Sequence, residues 1–327
     1  GAVGGVIGGR LFEAGHDVVL IARGRHLEAI RRDGLVLESP VSIVRLAVPA
    51  AGRPSEINFR PGDVVLMTMK TQDSLGALDE LRAAAGEAVP VVCMQNGVEN
   101  ERLALRRFAN VYATAVMLPA THMEPGVVQA NSGPVSGILD TGRYPSGSDP
   151  LVDDLMAALE RSTFSARPNP DIMRFKYSKL LLNLTNAPHA ICPAGGWEDL
   201  LAEAREEAWA CYRAAGIDCA SDEEDRQRRG NLLTIGPIHG KLRGGGSTWQ
   251  SMARATGTSE VDYLNGEIVV LGRAHGEPTP VNAVFQRLAN QMAASGAAPG
   301  SVPADSLRAE VEAERVTARP GVPGPAR

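Results

Sequence analysis

The chain has 327 residues, 44% of them hydrophobic and 22% charged, and carries a net charge of -5; that size suits two domains of roughly 100–200 residues each. With aromatics at only 4% and acids outnumbering bases, the basic patch and stacking platforms of a nucleic-acid binder are absent. No run approaches the ~18 apolar residues of a membrane span and the N-terminus lacks the order of a secretion signal, so the expectation is a cytoplasmic protein with no membrane partner.

The opening Gly1-Ala2-Val3-Gly4-Gly5-Val6-Ile7-Gly8-Gly9-Arg10-Leu11 leads into a helix, and residues 17–22 (DVVLIA) read as a buried strand. Residues 35–37, 41–48, 64–69, 91–94 and 111–118 are further strand candidates, with helices at 75–85 and 99–108 among them. This alternation predicts a doubly wound α/β sheet of the Rossmann type, strand upon parallel strand. Residues 126–144 are rich in β-branched and turn-forming side chains and continue the same domain as strands or a hairpin. After a helix at about 150–161, residues 166–170 (ARPNP) carry two prolines, which remove backbone donors and disfavour helix, so the boundary is placed at Pro168. Helical patterns at 172–191, 197–215, 221–229, 259–275 and 280–294 then predict an all-α second domain over 169–296. The proline-rich residues 297–327 are expected to form a mobile tail.

Cys93, Cys192, Cys211 and Cys219 form no C-x-x-C pair, and the histidines show neither H-x-H nor H-E-x-x-H, so structural thiols and no metal are expected. Gly1-Ala2-Val3-Gly4 fits the last four positions of G-x-G-x-x-G, whose glycines let the backbone approach a pyrophosphate at a helix N-terminus. The first glycine and its preceding strand are not in the sequence, and the expectation is that upstream residues are missing. An NAD site calls for an acid at the end of the second strand. Here that strand runs into Ala22-Arg23-Gly24-Arg25-His26, whose guanidiniums suit a 2′-phosphate, so NADPH is the expected cofactor. Lys70 and Asn96 follow strand candidates, at the rim where doubly wound sheets hold ligands. Within residues 175–190 (FKYSKLLLNLTNAPHA) Lys179, Asn183 and Asn186 fall within roughly 60° of one another at helical spacing. Thr258 and Ser259 are placed to cap a helix that carries Glu260 in its first turn. Upstream of it, residues 244–251 (GGGSTWQS) offer hydroxyls for an anionic group.

Taken in order, the glycine turn, Ala22-Arg23-Gly24-Arg25-His26, Lys70, Gln95-Asn96-Gly97, Lys179-Leu180-x-x-Asn183 and Ser259-Glu260-Val261-Asp262-Tyr263-Leu264-Asn265-Gly266 resemble the ketopantoate reductase (2-dehydropantoate 2-reductase) family over about residues 1–295. The resemblance implies a Rossmann domain, a helical domain, a cleft between them and NADPH-dependent reduction of a 2-oxo acid, which in the family is ketopantoate reduced to the coenzyme A precursor pantoate. It makes Lys179 the catalytic lysine and Glu260 its acidic partner. It sets Lys70 and Asn96 beside the nicotinamide, and Asn183 and Asn186 as substrate amides. Thr248 stands where the family has a carboxylate-binding serine, and Asn186 lies one position before the family's second amide. The chemistry expected is proton donation by Lys179 as hydride transfer leaves charge on the ketone oxygen. Alternatives are a related NADPH-dependent dehydrogenase of another 2-oxo acid or an imine, and a non-catalytic NADPH-sensing paralogue. A homodimer is the assembly considered.

Overall fold

The glycine run that opens the sequence is helical: α1 spans Ala2–Glu13. A Cβ on Gly4 would lie 2.3 Å from Thr68 Oγ1, and one on Gly5 would lie 2.6 Å from Val128 Cγ1. The paired glycines therefore let α1 press against Thr68 on one side and Val128 on the other. Val6, Ile7 and Leu11 complete that contact in one core with Leu35, Leu37, Val92, Val128 and Leu139. Because Val128 is fully buried and β-branched, Gly5→Ala is expected to destabilise the protein by about 1–3 kcal/mol, the usual cost of overpacking, read as a lower Tm; an unchanged Tm would mean that α1 can shift freely.

The computed structural model describes residues 1–192, 195–255 and 257–318. The chain divides into two compact units, Gly1–Lys179 with Cys219–Gly244, and Leu180–Asp218 with Gly245–Arg327. In the first unit, α1 is followed by β1 (Leu20–Ile21), α2 (Gly24–Asp33), β2 (Leu35–Glu38), β3 (Ile43–Leu46), β4 (Ala50–Ala51), β5 (Val65–Met67), α3 (Ser74–Ala85), β6 (Val91–Cys93), α4 (Asn100–Leu105), β7 (Val111–Met117), β8 (Ala120–Thr121), β9 (Val127–Ala130), β10 (Gly137–Arg143), α5 (Pro150–Glu160), β11 (Phe164–Ser165) and the start of α6 (Ile172–Asn183). A five-stranded sheet has the order β11-β10-β7-β6-β5, with β5, β6 and β7 parallel and β10 antiparallel to β7. A parallel pair, β1 and β4, stands as a separate sheet.

The remaining strands correct the expectation that all the strand candidates pair in one parallel sheet. β2 and β3, formed at the candidates 35–37 and 41–48, pair antiparallel in a separate four-stranded sheet of order β3-β2-β9-β8. In β2 burial alternates along Leu35–Glu38, the pattern of a strand covered on one face. β6, by contrast, is buried at every residue, as a parallel strand covered on both faces should be. The region 126–144 does supply strands, but β9 and β10 join different sheets.

The boundary expected at Pro168 is also corrected, since the first unit runs on to Lys179. Residues 166–170 are not a free linker, because Thr141 N–H donates to Arg167 O and Asn169 N–H donates to Thr141 O (3.2 and 2.8 Å). The two prolines thus edge a sheet, a place where a missing N–H costs nothing.

The second unit is helical, continuing from the end of α6 into α7 (Asn186–Ile191) and α8 (Glu198–Ala215). After α9 (Asp222–Arg229), which belongs to the first unit, come α10 (Ser247–Ala253), α11 (Asn265–His275), α12 (Pro280–Ser295) and α13 (Ala304–Ala318). Ala208 and Tyr212 of α8, Ile268 of α11 and Phe285 of α12 are buried, and α8, α11 and α12 pack on one another. Glu207 accepts from the Val281 and Asn282 N–H groups (2.8 and 3.0 Å), so a neighbouring helix satisfies the free donors at the start of α12. The expected mobile tail is corrected over its described part, where α13 buries Leu307 and Val311 and packs on α12. Residues 319–327 lie outside the described residues. Among the described residues no helix is long and apolar enough to cross a membrane.

Candidate active site

β5 and β6 run side by side in parallel with Met67 opposite Cys93, so the residues that follow them emerge together at one rim of the sheet. Lys70 leads into a short 3-10 turn, Thr71–Asp73, and Asn96 lies in a turn closed by Gly97 at φ +78°, a backbone state that favours glycine. Both side chains are half-buried. The two loops are tied together beneath them: Gln95 Nε2 donates to Met69 O (2.9 Å) and Ser74 Oγ (2.8 Å), and Asn100 Nδ2 donates to Thr71 Oγ1 (3.0 Å). The rim expected from the strand pattern is therefore present and internally braced.

α6 brings two lysines to the same unit. Lys176 is buried, with Nζ 2.6 Å from Glu101 Oε1. Lys179, one turn later, is half-buried, and its pKa is lowered from 10.5 to about 8. Burial is the main cause, the Asp225 carboxylate opposes it, and the Arg229 and Arg243 guanidiniums add to it. Loss of water around an ammonium favours the neutral amine, so this lysine holds its proton at neutral pH but releases it more readily than a solvated one. Asp225 is buried and accepts from Arg229 Nε (2.7 Å). It arrives on α9, whose start is fixed by a capping box between Ser221 and Glu224. The helix is held in the unit by Arg174 on Glu224 (2.9 Å) and by Arg228 on Asp140 (2.6 Å).

Arg23 precedes the first residue of α2 and Arg25 lies in its first turn; both are exposed. Neither takes part in an ion pair among the described residues, and the first turns of α1 and α2 carry no acid. Guanidiniums at a helix N-terminus fit an anionic dinucleotide carrying a 2′-phosphate. Gly1 opens on free space, with Ala2 and Val3 half-buried behind it, whereas Gly4 turns towards Thr68. The structure thus gives Gly4 a packing role. His26 accepts from Gly126 N–H (2.9 Å), and its ring lies 4.2 Å from that of His122 at a tilt of 48°. Its pKa is lowered to about 3, chiefly by burial, which keeps the ring neutral as part of the scaffold.

In the second unit, the single helix expected over 172–191 is broken: α6 ends at Asn183 and α7 begins at Asn186. Lys179 and Asn183 keep their four-residue helical spacing, but the seven-residue step to Asn186 crosses the break and no longer fixes its direction. Asn186 instead meets the start of α10, its Oδ1 3.0 Å from where a Cβ on Gly246 would sit. α10 carries the buried Thr248, so two expected substrate residues are brought together within this unit. Glu260 is buried and makes no capping bond at the turn Val261–Tyr263 that follows it. Ser259 does cap, accepting from Val261 N–H (3.2 Å), and α11 starts later than expected, at Asn265.

Lys176, Glu101 and Asp225 escape the sequence reading. A second lysine three residues before Lys179 in an apolar helix was a usable signal for the first, but nothing local marks the other two.

Two family models match, "Ketopantoate reductase PanE/ApbA" over residues 1–144 and "Ketopantoate reductase PanE/ApbA C terminal" over residues 171–293. The 2-dehydropantoate 2-reductase of Caulobacter vibrioides is 27% identical over 308 residues, covering 90% of this chain and 97% of that protein. Among solved structures, a PanE/ApbA family ketopantoate reductase from Ralstonia eutropha JMP134 is 29% identical with a TM-score of 0.73, covering 89% of this chain and 95% of its own. A D-mandelate dehydrogenase solved with NADH and anilino(oxo)acetate has a TM-score of 0.75 at 21% identity over 90% and 97% of the two chains, and shares the fold. A Rossmann-like first part with a helical second part is common ground, and the chain belongs to the ketopantoate reductase family.

Proposed function

We propose that the protein is an NADPH-dependent reductase of a 2-oxo acid, acting on 2-dehydropantoate to give pantoate on the route to coenzyme A. The observation that carries this reading is Lys179, a half-buried amine with its pKa lowered to about 8 at the position of the family's catalytic lysine. Arg23 and Arg25 would hold the 2′-phosphate, and Gly1, Ala2 and Val3 would line the pyrophosphate turn, with Gly4 setting the helix behind it. Lys70 and Asn96, on the rim loops after β5 and β6, would serve the nicotinamide end. The dinucleotide, when bound, supplies the hydride.

The chain's own part is to meet the charge that develops on the substrate oxygen. An ammonium with a pKa of about 8 is mostly protonated at pH 7 yet close enough to neutrality to give up its proton, the balance that suits a general acid. Asn183, Asn186 and Thr248 offer neutral donors for the oxo acid, and Glu260 is assigned as the reaction's acidic residue from its place in the motif. The test is consumption of NADPH with a panel of 2-oxo acids. Ketopantoate should be preferred by about tenfold or more in kcat/KM, a margin of about 1.4 kcal/mol. Preference for another oxo acid would overturn the substrate, and no consumption with any of them would overturn the reaction.

A further inference from the structure

We infer that Lys176 and Glu101 are positioning residues, a buried ion pair that fixes the Gln95–Asn96 turn against the helix carrying Lys179; the catalytic part of this inference rests on the reductase reading above. The ammonium lies 2.6 Å from Glu101 Oε1, and the two side chains are 2% and 0% exposed. Its other contacts are with backbone: Nζ donates to Gln95 O (3.0 Å) and Thr114 O (3.4 Å). One group on α6 thus holds α4 through Glu101, the end of β6 through Gln95, and the middle of β7 through Thr114.

Gln95 passes the constraint on. Its side-chain amide donates to the carbonyl of Met69, the residue before Lys70, and to Ser74 Oγ, which donates to Asn100 Oδ1 (2.7 Å). Asn100 Nδ2 in turn lies 3.3 Å from Asn96 O. Gln95, Ser74, Asn100 and Thr71 are all buried. The network therefore ends on the backbone beside both rim residues, Lys70 and Asn96, while its origin is one helical turn from Lys179.

Stability does not account for such a pair. Desolvating two charges is costly enough that apolar side chains of similar volume often serve the fold as well or better. What an ammonium provides, and a leucine does not, is a direction, because it donates to two fixed carbonyls, Gln95 O and Thr114 O, while its charge lies against the Glu101 carboxylate. Burial pushes the Glu101 carboxyl up while Lys176 pulls it down. Cys93 on β6, Tyr144 beyond β10 and Glu99 before α4 are the other titratable groups around it.

The experiment compares the parent with Lys176→Met/Glu101→Leu, which removes both charges together, and with Glu101→Gln, which keeps shape and one acceptor. Two readouts are taken: amide hydrogen exchange of residues 95–100 without ligand, and the split between kcat and KM for NADPH-dependent turnover. Exchange in this turn should quicken about tenfold or more in the double variant, with protection of α8 and α12 unchanged. kcat should fall about tenfold or more with KM within about threefold, because a misplaced group costs rate rather than ground-state binding. Parental exchange in the turn, or parental kcat in either folded variant, would overturn the inference. Failure of both variants to fold would also overturn it, by assigning the pair to folding. Should the parent itself reduce no oxo acid while exchange still responds, the reductase reading falls and the positioning of the turn stands.

Discussion

Lys179→Ala is expected to lower kcat by about 10² or more while leaving the Kd for NADPH within about threefold, since removing a general acid costs ~10²–10⁴ in rate. A second readout separates this from damage to the fold. The Lys179 pKa is about 8 in the folded protein against 10.5 for a solvated lysine. Between these values the unfolded chain binds more protons than the folded one, so stability rises with pH across the window, and below about pH 8 the full deficit is present. Lys179→Met removes that deficit and is expected to raise Tm at pH 7 even as turnover is lost. A group kept at a cost to stability is kept for function. Parental turnover in either variant would remove Lys179 from the mechanism, and a fall in Tm would contradict the burial argument.

The second large effect is on cofactor choice. Arg23 and Arg25 are exposed and in no ion pair among the described residues, so replacing them disturbs little else. Charge-assisted hydrogen bonds contribute ~1.5–3 kcal/mol each, and exposure reduces that. Arg23→Ala/Arg25→Ala should therefore raise the Kd for NADPH by on the order of tenfold to a hundredfold, with NADH changed by less than about threefold, measured by titration of the bound nicotinamide's fluorescence. The NADPH effect should shrink as salt is raised. Equal losses for the two cofactors would contradict a 2′-phosphate role.

What the sequence made legible is local. Apolar runs announced β5, β6 and β7, and the positions of Lys70 and Asn96 just beyond two of them set both at the same rim. Spacing also identified the helix that bears Lys179 and Asn183. The sheet partners of β2 and β3 were not legible in the same way, because a short apolar run has a period but no address; only the alternate burial along Leu35–Glu38 separates a one-faced strand from a doubly covered one. The return of residues 219–244 to the first unit was hidden for a different reason. Asp222–Arg229 (DEEDRQRR) reads as a solvated helix, yet Asp225 is buried among the groups that set the Lys179 pKa and Arg228 pairs with Asp140 far back in the chain. Charges that find long-range partners leave no periodic trace. The break after Asn183 did leave a local trace: Pro188 has no N–H to give to Leu184 O, so a helix running on from residue 172 is interrupted ahead of it and restarts with the proline in its first turn.

The glycines show how one pattern can serve two purposes. Their spacing reads as a nucleotide fingerprint, and the described structure shows a helix drawn close to strands, with Thr68 and Val128 where side chains would otherwise stand. Both follow from the same property, the absence of a Cβ.

The central claim is that the Lys179 ammonium supplies the proton of the reduction, and the pH dependence of kcat/KM with ketopantoate and NADPH tests it most directly, because this parameter reports the free enzyme. Activity should fall tenfold per pH unit above an alkaline limb near pH 8, and that limb should vanish from the residual activity of Lys179→Ala. A profile flat to pH 10, or the same limb in the variant, would contradict it.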